Sequence, residues 1–241
     1  MDNKNHSISV IIPACNEEQG IERAILHNIR TFQTLNLDFE TIVIDDKSVD
    51  RTRDIVESLA DRFPTIRVLR HEKNMGSGAA FKTGIANATK SHIIFAPVDN
   101  PLDVEDMKAY LSRLDVCDIV VGFRMERVGY SAFARFASFV YNRIFIPLLF
   151  NIGLSDVNWI SIYRTNLFKD DVISFNSTSL FWLVEILIRA RRKHLIIAEV
   201  PGRMKKRMHG RATCTRPSVI LRTFTEMLKF FWMIQKEDKN K

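Results

Sequence analysis

The sequence predicts an α/β fold in which a mostly parallel sheet is covered on both faces by helices. Two observations carry this expectation. Short apolar, β-branched runs alternate five times with helical stretches through the first half of the chain, and four of these runs are followed by a cluster of Asn, Asp, Gly or Glu. Runs that are apolar without alternation suit strands buried on both faces, and parallel strands need a crossover helix to join them. The composition agrees: 46% hydrophobic and 26% charged residues in 241 describe a globular chain long enough for a substantial core.

Taken in order, Ile8 to Pro13 is an apolar run stopped by proline, and Asn16 is placed to cap a helix whose first turn carries Glu17 and Glu18. Phe39 to Ile44 is a second strand ending in Asp45-Asp46. Ser48 and Asp50 open a helix that Pro64 closes, and Ile66 to Leu69 is a third strand. A glycine loop, Asn74 to Ala80, runs into a helix ending near Ala88. Ser91 to Phe95 and Cys117 to Val121 are the fourth and fifth strands, with a helix over Asp103 to Leu114 between them. The second half holds a Phe- and Arg-rich stretch, Tyr130 to Phe150, then a strand at Trp159 to Tyr163. A helix over Leu180 to Arg192, a strand at Ile196 to Val200 and an amphipathic helix from Val219 to Ile234 complete it. With no linker-like segment, residues 1–216 read as one domain and 217–241 as an amphipathic helix with a polar tail.

The three cysteines, Cys15, Cys117 and Cys214, are far apart and form no CxxC pair, which argues against a disulfide framework or a cysteine zinc site. No run reaches the roughly 18 apolar residues needed to cross a bilayer. The N-terminus is polar and leads directly into a strand, so no signal peptide is expected. Lys and Arg number 35 against 28 Asp and Glu, a net charge of +7 that favours an anionic partner. No stacking motif or helix-turn-helix pattern supports nucleic acid as that partner.

Open parallel sheets bind ligands beyond the carboxyl ends of their strands. The groups collected there are Pro13, Ala14, Asn16 and Glu17, then Asp45 and Asp46, then the loop holding Gly76 and Gly78, then Asp99 and Asn100. An Asp beside a loop of backbone donors suits a nucleotide: the carboxylate accepts from a base N–H, and amides at a helix N-terminus can meet phosphate. Each cluster is also what helix caps and turns require, but four in succession point to a site. The chain holds neither GxxxxGK[ST] nor a glycine fingerprint after the first strand, and its histidines lack HExxH spacing, so they read as surface or satisfied residues.

The stretches Ser9 to Glu18, Val43 to Asp50 and Asn74 to Ala80 together resemble the inverting glycosyltransferase family 2. The likeness is greatest to its polyprenyl-phosphate branch, which includes the dolichol-phosphate mannose synthases. It continues through Val121 to Arg124, Ser155 to Asn158, Glu185 to Ala190 and Ile197 to Pro201. The resemblance implies a GT-A fold and a UDP- or GDP-sugar donor, with Pro13, Ala14, Glu17 and one of Asp45 or Asp46 around the nucleoside and the Gly76–Gly78 loop nearby. It implies Mg²⁺ or Mn²⁺ on the diphosphate, where it would neutralise the leaving group. Here the chain departs from the family. The usual Asp-x-Asp reads Pro97-Val98-Asp99, leaving Asp99 as the one matching carboxylate. Three readings stay open: Asp99 holds the metal with diphosphate and waters, Arg or Lys contacts replace the metal, or the chain binds a donor without turnover.

On the acceptor side a lipid phosphate is already an anion and needs cations rather than a general base. The resemblance assigns the phosphates to Arg124 and Arg211, with Arg207 in the same basic loop, and gives Asp156 and Glu185 a positioning role. Two stripes suit a membrane interface: Phe133, Phe136, Val140, Ile144 and Leu148, and Val219, Phe224, Leu228, Phe231 and Trp232. Stripes of this kind also serve as core or dimer contacts. The expectation is a peripheral enzyme on the cytoplasmic face of the membrane, moving sugar to polyprenyl phosphate, in contact with the bilayer directly, through a membrane-protein partner or as a homodimer. Transfer to a lipid-linked saccharide or a protein is the alternative, as is a non-catalytic nucleotide-sugar binder.

Overall fold

The computed structural model describes residues 6–204 and 217–239, and these form one sheet of seven strands. Strand β1 (Ser7–Ala14) pairs in parallel with β2 (Asp38–Asp45) on one side and β4 (His92–Phe95) on the other, and β2 pairs with β3 (Ile66–Arg70). Beyond β4 lies β6 (Ser161–Arg164), antiparallel to both β4 and β5 (Ile119–Arg124), and β7 (Ile197–Gly202) closes the edge parallel to β5. The order is β3-β2-β1-β4-β6-β5-β7. The mostly parallel sheet expected from the alternation is present, with β6 as the one reversed strand. The reversal follows from the route of the chain. The segment after β5 leaves the sheet at its carboxyl edge and returns at the same edge, so the next strand must run back.

Helices α1 (Ile21–Thr34), α2 (Thr52–Arg62) and α4 (Val104–Leu111) cover one face; α3 (Ser77–Asn87), α8 (Phe181–Arg192) and α9 (Pro217–Lys239) cover the other. The period-2 geometry of a strand divides β1 between the two layers: Ile8, Val10 and Ile12 face the first and Ile11 the second, all fully buried. Phe81 stacks on Trp182 at 4.3 Å between ring centroids and ties α3 to α8.

Asn16 does not cap α1. It sits at φ 58° outside the helix and its Oδ1 accepts from Val49 N, while α1 starts at Ile21 with Glu22 in its first turn. The helix expected over Asp103 to Leu114 is α4, ending at Leu111. The Phe-rich stretch becomes α5 (Ala132–Val140), a π-helical turn (Tyr141–Phe145) and α6 (Ile146–Phe150). Within the π turn Asn142 is buried, its Nδ2 donating to Ser138 O and its Oδ1 accepting from Val157 N. A short helix, α7 (Asn166–Lys169), follows β6.

At the opposite end of the sheet from the site, His92 is buried, and burial with the nearby His6 and Arg164 charges pushes its pKa down from 6.5 to about 4. The folded protein therefore resists protonation that the unfolded chain accepts. This stabilisation is complete above pH 6.5 and is lost as pH falls toward 4, by at most about 1.4 kcal/mol per pH unit. Glu40 follows the same sign lower down. Burial raises it, but hydrogen bonds from Ser9, Thr89 and Arg67 outweigh that and hold it below 4.5, so its contribution fades only under that value. Urea unfolding measured from pH 7 to 5 is expected to show falling stability, and His92→Gln to flatten that slope.

Candidate active site

The carboxyl ends of β1 and β2 meet the glycine loop, and the adjacent Asp45 and Asp46 do different things there. Asp46 is fully engaged. Its Oδ1 accepts from Met75 N at 2.9 Å and lies 2.7 Å from His71 Nδ1, and its Oδ2 accepts from Gly76 N at 2.8 Å. His71 is buried, with Nε2 2.9 Å from Thr83 Oγ1. Asp45, the last residue of β2, accepts from Ser48 N through Oδ1. Its Oδ2 is buried and has no hydrogen-bond partner, with Arg70 Nε 4.0 Å away. A buried acceptor left unpaired is costly unless a ligand satisfies it. Of the pair, Asp45 is the one with an oxygen to offer a base N–H, and Asp46 anchors the loop.

Pro13 and Ala14 end β1 beside them, and Ala14 O accepts from Asp46 N at 2.8 Å. The next residues are braided into the loop before α2: Asn16 N donates to Ser48 Oγ, Glu17 N to Thr52 Oγ1 and Glu18 N to Asp50 Oδ2. Cys15 is half-buried, receives a bond from Asn74 Nδ2, and has its thiol pKa pushed up by burial. The site's floor is thus pinned on both sides by backbone donors.

The glycine loop is shaped by a close approach of backbone. Gly76 has φ +92°, and a Cβ there would lie 2.6 Å from Thr178 O; a Cβ on Gly78 would lie 2.3 Å from Ser177 O. Gly78 N donates to Thr178 O at 3.2 Å, and Trp182 Nε1 donates to Ser77 Oγ. The amides of Met75, Gly76 and Gly78 are therefore bonded within the protein, two to Asp46 and one to Thr178. The Gly76 and Gly78 amides, which the sequence reading set near the nucleotide, thus hold the loop to Asp46 and Thr178.

Residues 176–180, which receive the loop, are held from two helices. Glu185 on α8 accepts from Asn176 N, Ser177 N and Ser177 Oγ, and pairs with Arg189 at 3.0 Å. Glu226 on α9 accepts from Ser179 N at 3.0 Å, from Ser179 Oγ and from Thr178 Oγ1, and Arg222 donates to Thr178 Oγ1. The sequence reading missed Thr178, Ser179 and Glu226, while His71, read as a surface or satisfied histidine, is the satisfied kind. One signal was present: the polar run Asn176 to Ser179 stands between two apolar stretches, and Glu226 is an isolated acid in a basic, apolar helix.

After β4, Pro97 to Asn100 forms a turn closed by Asn100 N on Pro97 O, with Asp99 half-buried and Asn100 buried. No group of three or more His, Cys, Asp or Glu placed to hold a metal occurs among the described residues. One carboxylate does fit a divalent cation that arrives with a diphosphate, because Mg²⁺ commonly takes one or two carboxylates, phosphate oxygens and waters. The donor set fits that arrangement rather than an all-protein cage.

Arg124, at the end of β5, grips Asp156 through two parallel bonds of 2.6 and 2.8 Å and donates to Tyr130 Oη at 2.9 Å. Its guanidinium lies 5.1 Å from the Trp159 ring centroid. Burial would lower its pKa, yet the Asp156 carboxylate raises it, so the charge is kept. Arg127 approaches Asp156 at 3.5 Å and donates to Ser138 Oγ at 2.9 Å. The structure thus brings Arg124 to Asp156, and Glu185 to the loop beneath Gly76, as separate clusters. Arg207 and Arg211 lie outside the described residues.

Beside this edge the segment 132–150 and α9 expose apolar side chains. Phe136, Ile144, Leu148, Phe224, Leu228 and Trp232 are between 37% and 77% accessible, where core residues would be closed to solvent. Val140 and Phe231 from the expected stripes are half-buried, and Phe145 meets Phe224 edge-on at 6.3 Å. No helix among the described residues is long and apolar enough to cross a membrane.

The model for glycosyl transferase family 2 matches residues 9–183. A dolichyl-phosphate beta-glucosyltransferase of Dictyostelium discoideum is 28% identical over 216 residues, covering 81% of this chain and 65% of the relative. A dolichyl-phosphate beta-glucosyltransferase of Trichomonas vaginalis is 31% identical over 104 residues, covering 41% of this chain and 32% of its own length. The chain therefore spans between a third and two thirds of these relatives. Among solved structures, glucosyl-3-phosphoglycerate synthase from Mycobacterium tuberculosis with Mn²⁺, UDP-glucose and phosphoglyceric acid aligns with TM-score 0.69 at 19% identity, covering 94% of this chain and 80% of that one. S. aureus TarS with UDP-GlcNAc aligns at 0.60 and 18% identity, covering 87% and 61%. At such identities the structural likeness carries the fold.

Proposed function

The chain belongs to glycosyl transferase family 2, and from that premise we propose that it moves a sugar, with inversion, from a UDP- or GDP-sugar to a polyprenyl phosphate at the cytoplasmic face of a membrane. The observation that carries the choice of acceptor is the exposed apolar and cationic face of 132–150, which leaves and re-enters the sheet at the donor site's own edge. The dolichyl-phosphate specificity named for the relatives points the same way.

In this reading the unpaired Oδ2 of Asp45 accepts from the base, Pro13, Ala14 and Glu17 line the nucleoside, and Asp46 with Gly76 and Gly78 fixes the wall of the cleft. Asp99 would hold the Mg²⁺ or Mn²⁺ that neutralises the leaving diphosphate. The acceptor phosphate attacks as an anion and needs no base. Arg124 and Arg127 share the single carboxylate of Asp156, so the cluster keeps a net positive charge, and Arg127 on its more exposed flank, with Arg207 and Arg211 of the basic loop, would meet the phosphates. Asp156 and Glu185 act by positioning.

The test is transfer of label from a panel of UDP- and GDP-sugars into organic-extractable lipid, with polyprenyl phosphate and Mg²⁺ or Mn²⁺. Label in the lipid phase, removed by chelator, is the expected result. Donor binding with no label under any acceptor would replace this reading with that of a nucleotide-sugar binder, which Pro97 in place of an acidic ligand favours.

A further inference from the structure

The two halves of α9 are held in different ways. Its C-terminal half is anchored by Met227, Phe230 and Ile234, all buried, whereas every residue from 218 to 225 is exposed or half-buried. Little buried apolar surface means low local stability, and such an end frays easily. What ties this half down is polar: Arg222 and Glu226 on Thr178 and Ser179, with the Phe224–Phe145 ring contact. Those two residues belong to the loop whose carbonyls pack on Gly76 and Gly78. The inner side of α9 therefore braces the donor site, and its outer side carries exposed Phe224, Leu228 and Trp232, continuous through Phe145 with Phe136, Ile144 and Leu148.

The charges around that face have one sign. Residues 132–150 contain no carboxylate, and residues 217–235 contain one, Glu226, which is turned inward onto Ser179. Arg135, Arg143, Arg222 and Lys229 are exposed. An apolar face with aromatic residues and cations alone matches an anionic bilayer, where acyl chains take the rings and headgroups the charges. We propose that this two-helix face docks on an anionic lipid surface, and that docking orders the N-terminal half of α9 and so tightens nucleotide binding through Glu226. Burial of the outer face in lipid supplies the stabilisation the free helix end lacks. By linkage, bound nucleotide must in turn strengthen lipid binding by the same factor.

The inference deepens the membrane reading above, yet it needs no sugar acceptor. Affinity for UDP and for GDP is measured in buffer, with phosphatidylglycerol-containing vesicles and with phosphatidylcholine vesicles, and the tighter nucleotide is followed. Anionic vesicles are expected to co-sediment the protein and tighten nucleotide binding by about fivefold or more, with no effect from neutral ones. Leu228→Ser combined with Trp232→Ser, both at exposed positions, should keep the affinity seen in buffer and lose the vesicle response. Glu226→Ala should co-sediment but lose the tightening. Co-sedimentation with unchanged affinity overturns the coupling. Absence of co-sedimentation, together with a dimer that the Leu228/Trp232 double variant dissociates, assigns the face to a second copy and overturns the docking. If neither nucleotide binds under any condition, the donor reading falls with it, whereas failed sugar transfer alone leaves this inference standing.

Discussion

Asp99→Ala is expected to lower sugar transfer by about 10²- to 10³-fold, the scale on which losing one preorganised electrostatic partner of a developing anion is felt. The size follows from a lack of redundancy. Pro97 occupies the position where the family has its first acidic ligand, and a proline has no side-chain oxygen to give. The turn from Pro97 to Asn100 presents Asp99 as its carboxylate. Asp99→Asn keeps the shape of the turn and removes the charge, so it should fall nearly as far. Binding separates this from misfolding. Mn²⁺ titrated with UDP present should bind wild type and not Asp99→Ala, while UDP alone still binds both through Asp45. Activity that survives Asp99→Ala with chelator added would show cations from the basic loop doing the work assigned to the metal.

Asp156→Ala is expected to cost about 3–5 kcal/mol of unfolding free energy, the largest stability effect of any single change proposed for this chain. The Arg124 side chain is 7% exposed and that of Asp156 2%, so removing the carboxylate leaves a charged guanidinium enclosed beside Tyr130 and the Trp159 ring among the described residues. An uncompensated charge in such a place is expensive because water cannot reach it. Arg127→Ala removes a partner that sits 3.5 Å away and 23% exposed, and it should cost far less. Urea unfolding of the three proteins at pH 7 checks the order. If Asp156→Ala and Arg127→Ala prove equal, the pair is not carrying the load its burial implies.

Much of the fold was legible because its signals are local. A run such as Ile8 to Ile12, apolar at every position, has few fates other than a strand buried on both faces, and the polar clusters at the strand ends mark the edge where ligands bind. Legibility failed wherever the deciding contact was distant. Asn16 had a helix-capping sequence, yet its partner is Val49, thirty-three positions away. Nothing local distinguishes Asp45 from Asp46; only the arrival of His71 and the glycine loop engages one and leaves the other with an unpaired oxygen. Glu226 could not be tied to the donor site from its own helix, since its partners lie 47 and 48 positions earlier. The place of β6 between β4 and β5 was equally hidden, because strand order depends on where the preceding helices turn back.

The π turn at Tyr141–Phe145 sets the angular phase between α5 and α6. Each residue of an α-helix advances about 100° around the axis, so the one extra residue a wide turn accommodates rotates everything after it by nearly a third of a revolution. That rotation lets Asn142 point inward to Val157 while Leu148, six positions later, is 77% exposed beside the same edge as Phe136. Shortening the turn by one residue would keep both flanking helices but swing α6 out of phase, dividing a continuous greasy surface into two that face different ways.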